Sequence, residues 1–117
     1  MAQQEAPPLS PREQVVLDSI PLGHQKAISR RSLAAVTHLD DRLLRVIIYS
    51  LVVDQGFPIG SSTGHDGGYF IIQDQEDLEV ATRHLKPRAK AIFRRAQALE
   101  RIARKQFDQQ VEMVWPE

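Results

Sequence analysis

A chain of 117 residues holds one ordinary domain and not two, so a single core with appendages is expected. Apolar residues at 42% and charged residues at 26% are the proportions of a folding globular protein and exclude a fibrous or disordered chain. The formal net charge of zero conceals a separation: Arg83 to Lys105 carries nine Lys and Arg against one acid, Glu100, a +8 segment balanced by −8 elsewhere. A basic stripe of this kind suits a polyanion, although a solvated helix carries the same charges.

The absence of cysteine removes disulfides and thiolate zinc sites, and His24, His38, His65 and His84 lack the spacing of ligands, so no metal or other cofactor is expected. The opening MAQQEAPPLSP has neither the basic start nor the apolar run of a signal peptide. Runs such as Val46–Ile48 and Leu51–Val53 are too short to span a bilayer, so a cytoplasmic protein with no membrane partner is expected.

Residues 1–9, rich in Gln, Pro and Ala without periodicity, read as a disordered lead-in. Ser10 and Glu13 have the spacing of a reciprocal cap and Pro11 stands at the first helical position, which predicts a helix from Pro11 to about Ile20 that buries Val15, Val16 and Ile20. A brief strand is expected at Lys26 to Ile28. Ser29 caps a second helix, RRSLAAV, with Leu33 and Val36 inward, and Thr37, His38 and Leu39 make a turn. Asp40 caps a third helix in which Leu44, Ile47, Ile48 and Leu51 fall on one face, and Gly56 with Pro58 ends it.

FPIGSS and GGYFII, separated by TGHD, read as a hairpin. Asp74 caps a fourth helix whose first turn holds Glu76 and Asp77, where the helix dipole favours acids, with Leu78, Ala81 and Leu85 as its inner stripe. Pro87 either kinks this helix or starts another, and the remainder is a long basic helix. Its residues Ile92, Ala96, Leu99 and Ala103, with Phe93 and Ile102 alongside, form an apolar stripe that suits either a homodimer through this helix or packing on the chain's own core. The expected organisation is a lead-in at 1–9, a domain at 10–73, a helical extension at 74–109 and a tail peptide at 110–117.

The run ISRRSLAAVTHLDDRLLRVIIYSLVVDQGFPI followed by SSTGHDGGYFI resembles the winged helix-turn-helix family over roughly residues 10 to 73, with a wing similar to that of biotin-repressor-type proteins. In this pattern Leu33, Leu39, Leu44, Ile48 and Leu51 lock two helices together, and Gly67 and Gly68 let the returning wing strand turn before Tyr69 and Phe70 pack. The fold class it implies is mainly α with a small β-hairpin wing, followed by a long C-terminal basic helix. The chain also looks like small helix-turn-helix proteins of bacteriophages and prophages that carry a basic RAKAIFRR-like helix before a short apolar tail.

The resemblance implies binding to double-stranded DNA, with the third helix in the major groove. Carried over, Asp41, Arg42, Arg45 and Tyr49 face base edges. Ser29, Arg30 and Arg31 with Thr37 and His38 meet phosphates, and Ser61, Ser62, Thr63 and His65 lie along the adjacent groove. Arg94, Arg95, Arg101 and Arg104 of the basic helix add a sequence-independent surface. Asp40 and Asp41 depart from the pattern, for they put two acids at the end that approaches DNA, where they either cap a solvated helix or take part in discrimination.

Gln110, Met113 and Trp115 resemble the short peptides by which bacterial replication and repair proteins dock on the sliding clamp, an aliphatic and an aromatic anchor with a Gln that sets register. The alternative is that Met113 and Trp115 cover the protein's own surface. Enzymatic activity is not expected: GSSTGHDGG lacks the Lys-Ser/Thr pair of a phosphate-binding loop, and Ser61, Ser62, His65 and Asp66 crowd a turn with no supporting shell. Two functions therefore compete: a DNA-binding replication accessory protein or transcriptional regulator, and a protein-interaction adaptor that uses the same fold as a scaffold for the clamp or polymerase machinery.

Overall fold

A computed structural model describes residues 8–64 and 67–114, with side chains through residue 108. Five helices and one hairpin follow in the order α1 (Pro11–Asp18), α2 (Arg30–Thr37), α3 (Asp41–Val53), β1 (Ile59–Ser61), β2 (Tyr69–Ile71), α4 (Gln75–Thr82) and α5 (Leu85–Val114), with a 3-10 turn at His24–Lys26. The chain divides into two units, Met1–Thr82 and Arg83–Glu117.

The helix starts are set by side chains that satisfy backbone donors left free in a first turn. The Ser10 hydroxyl accepts from Glu13 N at 3.1 Å while Glu13 Oε1 accepts from Ser10 N at 2.8 Å, the reciprocal box that the spacing predicts. Ser29 accepts from Ser32 N at 3.0 Å, Asp40 from Leu43 N at 2.8 Å and Asp74 from Asp77 N at 2.8 Å. α3 ends where Gly56 takes φ +83°, with Gly56 N donating to Val52 O at 3.2 Å and Phe57 N to Leu51 O at 2.9 Å.

The apolar faces of α1, α2 and α3 meet in one cluster of Val16, Ile20, Leu33, Leu44, Ile47, Ile48 and Leu51, closed by Ile59 of β1. Leu39, Tyr69 and Ile71 pack against it, half-buried. α1 stops at Asp18, two residues short of the expected end, and Val15 is exposed, as is Val36 of α2. Both helices are only eight residues long, so each buries a narrow stripe: Val16 in α1, and Leu33 with Thr37 in α2.

The hairpin is antiparallel, with Ile59 opposite Ile71, Gly60 opposite Phe70 and Ser61 opposite Tyr69. Alternation along a strand sends successive side chains to opposite faces. Tyr69 and Ile71 therefore meet the helical cluster, and Phe70, fully buried, takes the other side. There Gly60 is required: a Cβ on it would stand 2.6 Å from Ala81 Cβ of α4 and 3.1 Å from the Phe70 ring. On its outer edge β2 pairs with two short pieces of the preceding loop. Ile28 exchanges hydrogen bonds with Tyr69 at 2.8 and 2.9 Å, and Gly23 N donates to Ile71 O at 2.9 Å. The strand expected at Lys26 to Ile28 thus contracts to Ile28, because Lys26 belongs to the 3-10 turn.

α4 belongs to the first unit, and its inner face differs from the expected stripe. Ala81 is buried, Leu78 is exposed, and Asp77 is the other buried residue. The Asp77 carboxylate accepts from His24 N at 3.1 Å and Gln73 N at 2.8 Å and lies 2.6 Å from His24 Nδ1. These bonds to a charged acceptor hold its carboxyl below the usual aspartate range, the His24 ring contributing most. The acid therefore ties the 3-10 turn and the Gln73 backbone to α4 instead of facing solvent in a first turn.

The second unit contains α5, a helix of 30 residues. Pro87 starts a helix here and does not kink one: α4 ends at Thr82, α5 begins at Leu85, and Leu85 is exposed. The missing N–H of a proline costs nothing in a first turn, where that donor has no partner within the helix.

Candidate nucleic-acid interface

The turn between α2 and α3 is short because His38 adopts the left-handed conformation at φ 59°, ψ 34°, and Leu39 N donates to Ala34 O at 3.2 Å. This brings the first residue of α2 close to the first residue of α3. Arg30 Nε lies 2.6 Å from Asp41 Oδ1, and Arg45 Nε, one turn further along α3, lies 3.3 Å from Asp41 Oδ2. One carboxylate holds two guanidinium groups from two helices, all three side chains being about half exposed.

Tyr69 joins this cluster from the hairpin. Burial pushes its phenol above the usual range, while the positive charge of nearby Arg30 pulls the other way. Arg30, Asp41, Arg45 and Tyr69 draw α2, α3 and β2 to one surface. Asp40 makes the cap of α3, as its position predicts, and Asp41 takes no part in capping but pairs the two arginines. Neither the Arg30–Asp41 pairing nor the part of Tyr69 is visible as a local motif; the only hint is that both charges stand at the first position of a helix.

The other expected residues are distributed as follows. On α3, Arg42 is exposed beside Arg45, and with Val46 and Tyr49 they line one shallow depression on the side opposite the core. Arg31 and His38 are exposed. Thr37 is buried and its hydroxyl donates to Leu33 O at 2.7 Å, so that side chain is used within α2 and is closed to a phosphate.

In the hairpin, Ser61 and Thr63 are exposed, whereas Ser62 closes the ladder: its N donates to Gly68 O at 2.9 Å and its hydroxyl accepts from Gly68 N at 3.3 Å. Gly67 N donates to Gly64 O at 3.1 Å where the chain returns toward β2, and Gly67 and Gly68 both stand against neighbouring backbone. A Cβ on Gly67 would lie 2.5 Å from Ser62 O, and one on Gly68 would overlap the Ile28 carbonyl. His65 and Asp66 lie outside the described residues.

On α5, Arg94, Arg95, Arg101 and Arg104 are all exposed. At about 100° per residue, Arg94 and Arg101 stand opposite the stripe of Ile92, Ala96, Leu99 and Ala103, while Arg95 and Arg104 flank it on either side. They therefore form three sides of a rod and not one face. The helical backbone continues through Val114, past the expected start of the tail peptide at 110. The side chains of Gln110 and Met113, and Trp115 altogether, lie outside the described residues.

Among the described residues no group of three or more His, Asp or Glu is placed to hold a metal ion, and no helix is long and apolar enough to cross a membrane. Comparison with protein-family models, with curated proteins and with solved structures finds no match.

Proposed function

We propose that the chain is a non-enzymatic protein that binds double-stranded DNA in the manner of a winged helix-turn-helix, with α3 as the recognition helix, β1–β2 as the wing and α5 as a sequence-independent phosphate-binding rod. The observation that carries this reading is the convergence of Arg30, Asp41, Arg45 and Tyr69 where α2, α3 and β2 meet, beside the exposed Arg42. Such a surface offers a groove-entering helix start with guanidinium groups already oriented. The nine cations between Arg83 and Lys105 add charge that carries no sequence information. By pattern, the role is that of a replication accessory protein or transcriptional regulator of phage or prophage type.

The test is an anisotropy titration of the full chain against labelled mixed-sequence duplex over a series of salt concentrations. The logarithm of the affinity should fall linearly with the logarithm of salt, with a slope of roughly −0.9 for each phosphate neutralised. No binding at low salt would remove the reading. The adaptor reading has one observation of its own: the outward face of α3 continues beyond Arg45 into exposed Val46, Tyr49 and Val53, more apolar than a groove-reading face requires. It requires salt-insensitive binding to a protein partner, the sliding clamp among the candidates, and no affinity for duplex.

A further inference from the structure

We propose that α5 pairs with α5 of a second copy of this chain as a parallel, in-register two-stranded coiled coil over residues 85–106. The helix is the only secondary-structure element of its unit among the described residues, and its apolar residues stand open: Leu85 is 56%, Ile92 51% and Leu99 61% exposed. These three recur every seven residues, and Ala89, Ala96 and Ala103 recur every seven residues between them. Together they make three heptads with alanine at one core position and Leu or Ile at the other, a seam about 30 Å long at 1.5 Å per residue.

Charge selects the occupant and its orientation. In a parallel pair each residue before an alanine layer faces the residue five positions on in the other helix. Arg95 then meets Glu100 of the second copy, twice by symmetry. Arg88 meets Phe93, where a guanidinium stacks on a ring, and Ile102 meets Phe107, so no flanking pair is like-charged. Glu100, the one acid among nine cations from Arg83 to Lys105, thus occupies the flank where a parallel partner brings an arginine. Antiparallel pairing sets Arg95 against Arg95 or Glu100 against Phe93, depending on register. Lys90, Arg94 and Arg101 point away from the seam in the pair and remain open.

The pairing stands independently of the DNA reading, and it is tested without DNA. Sedimentation equilibrium of the full chain at physiological salt, from about 1 to about 200 µM, should show mass rising from 13.3 kDa toward twice that value. The alanine layers keep the buried apolar area small, so a dissociation constant on the order of micromolar is expected.

Arg95→Glu turns two attractive pairs repulsive and should weaken the dimer about tenfold, and adding Glu100→Arg should restore it. The chain has no cysteine, so Ala96→Cys reports geometry directly: mild oxidation should link the two copies through the seam, while Gln97→Cys on the outer face should not link. A mass of 13.3 kDa across the whole range overturns the proposal and returns the stripe to the chain's own surface. Dimers that fail to link at position 96, or that link equally at 97, overturn the parallel register. A monomer that still binds duplex sinks the pairing alone, and a dimer that binds none sinks the DNA reading alone.

Discussion

Asp41 stands between two guanidinium groups, and its removal separates attraction from orientation. In Asp41→Ala, Arg30 and Arg45 lose their counter-charge and the surface proposed to meet phosphate becomes one unit more positive, so affinity for mixed-sequence duplex should rise severalfold in an anisotropy titration. α3 would lose an acid from its first turn at a cost of about 0.5 kcal/mol, too little to confuse the measurement. A fall in affinity would mean that the carboxylate holds the arginines in the geometry DNA needs. Asp77 is the other acid whose setting matters. Its folded pKa lies below the unfolded value of about 3.9, so it stabilises the fold above that pH and the contribution disappears as pH falls through the folded value. Denaturant titrations from neutral pH downward should therefore show a steeper loss below about pH 4 in the wild type than in Asp77→Asn. Equal slopes would show that the clasp to His24 contributes nothing.

At the scale of elements, the hairpin is held by close approach of backbones and not by turn chemistry alone. Gly68→Ala would drive a methyl into the Ile28 carbonyl and break the two hydrogen bonds that join Ile28 to Tyr69, a loss of about 2–4 kcal/mol in chemical denaturation. Gly64→Ala meets open space but must hold φ +107°, and should cost about 1–2 kcal/mol. If the two substitutions cost the same, the edge pairing of β2 with Ile28 is not what secures the hairpin. The helices depend on their caps in the same checkable way. Each of the four cap residues was legible in the sequence, because a cap needs only a short polar side chain two or three residues before a free backbone donor, a relation that does not depend on the rest of the fold.

At the scale of the whole molecule, the buried hydrophobic residues among those described lie between Val16 and Ala81, whereas the excess of positive charge lies after Thr82. Stability and phosphate affinity should therefore be separable. A chain ending at Thr82 should keep a cooperative melting transition within a few degrees of the full chain and lose most of its duplex affinity. In the full chain, substituting Arg94, Arg95, Arg101 and Arg104 by Gln should weaken binding about equally for all sequences, whereas Arg42→Ala or Arg45→Ala should change the ranking among sequences. Equal losses from both sets would dissolve the distinction between a reading helix and a phosphate-binding rod.

Periodicity and capping by themselves determined the order of the helices, the buried face of α3 and the presence of a hairpin, since each depends on relations within about ten residues. Only the tertiary structure decided which residues of the short helices are buried. Eight residues offer two turns, and whether Val15 or Val16, Val36 or Thr37, Leu78 or Asp77 faces inward depends on what packs against them. The same is true of the cluster at the α2–α3 junction and the His24–Asp77 clasp, whose partners stand 11 and 53 residues apart along the chain. A charged residue carries no mark of its distant partner. Its pairing follows from how the left-handed turn at His38 and the packing of α4 on β1 bring separate helix ends together, and local pattern does not encode that geometry.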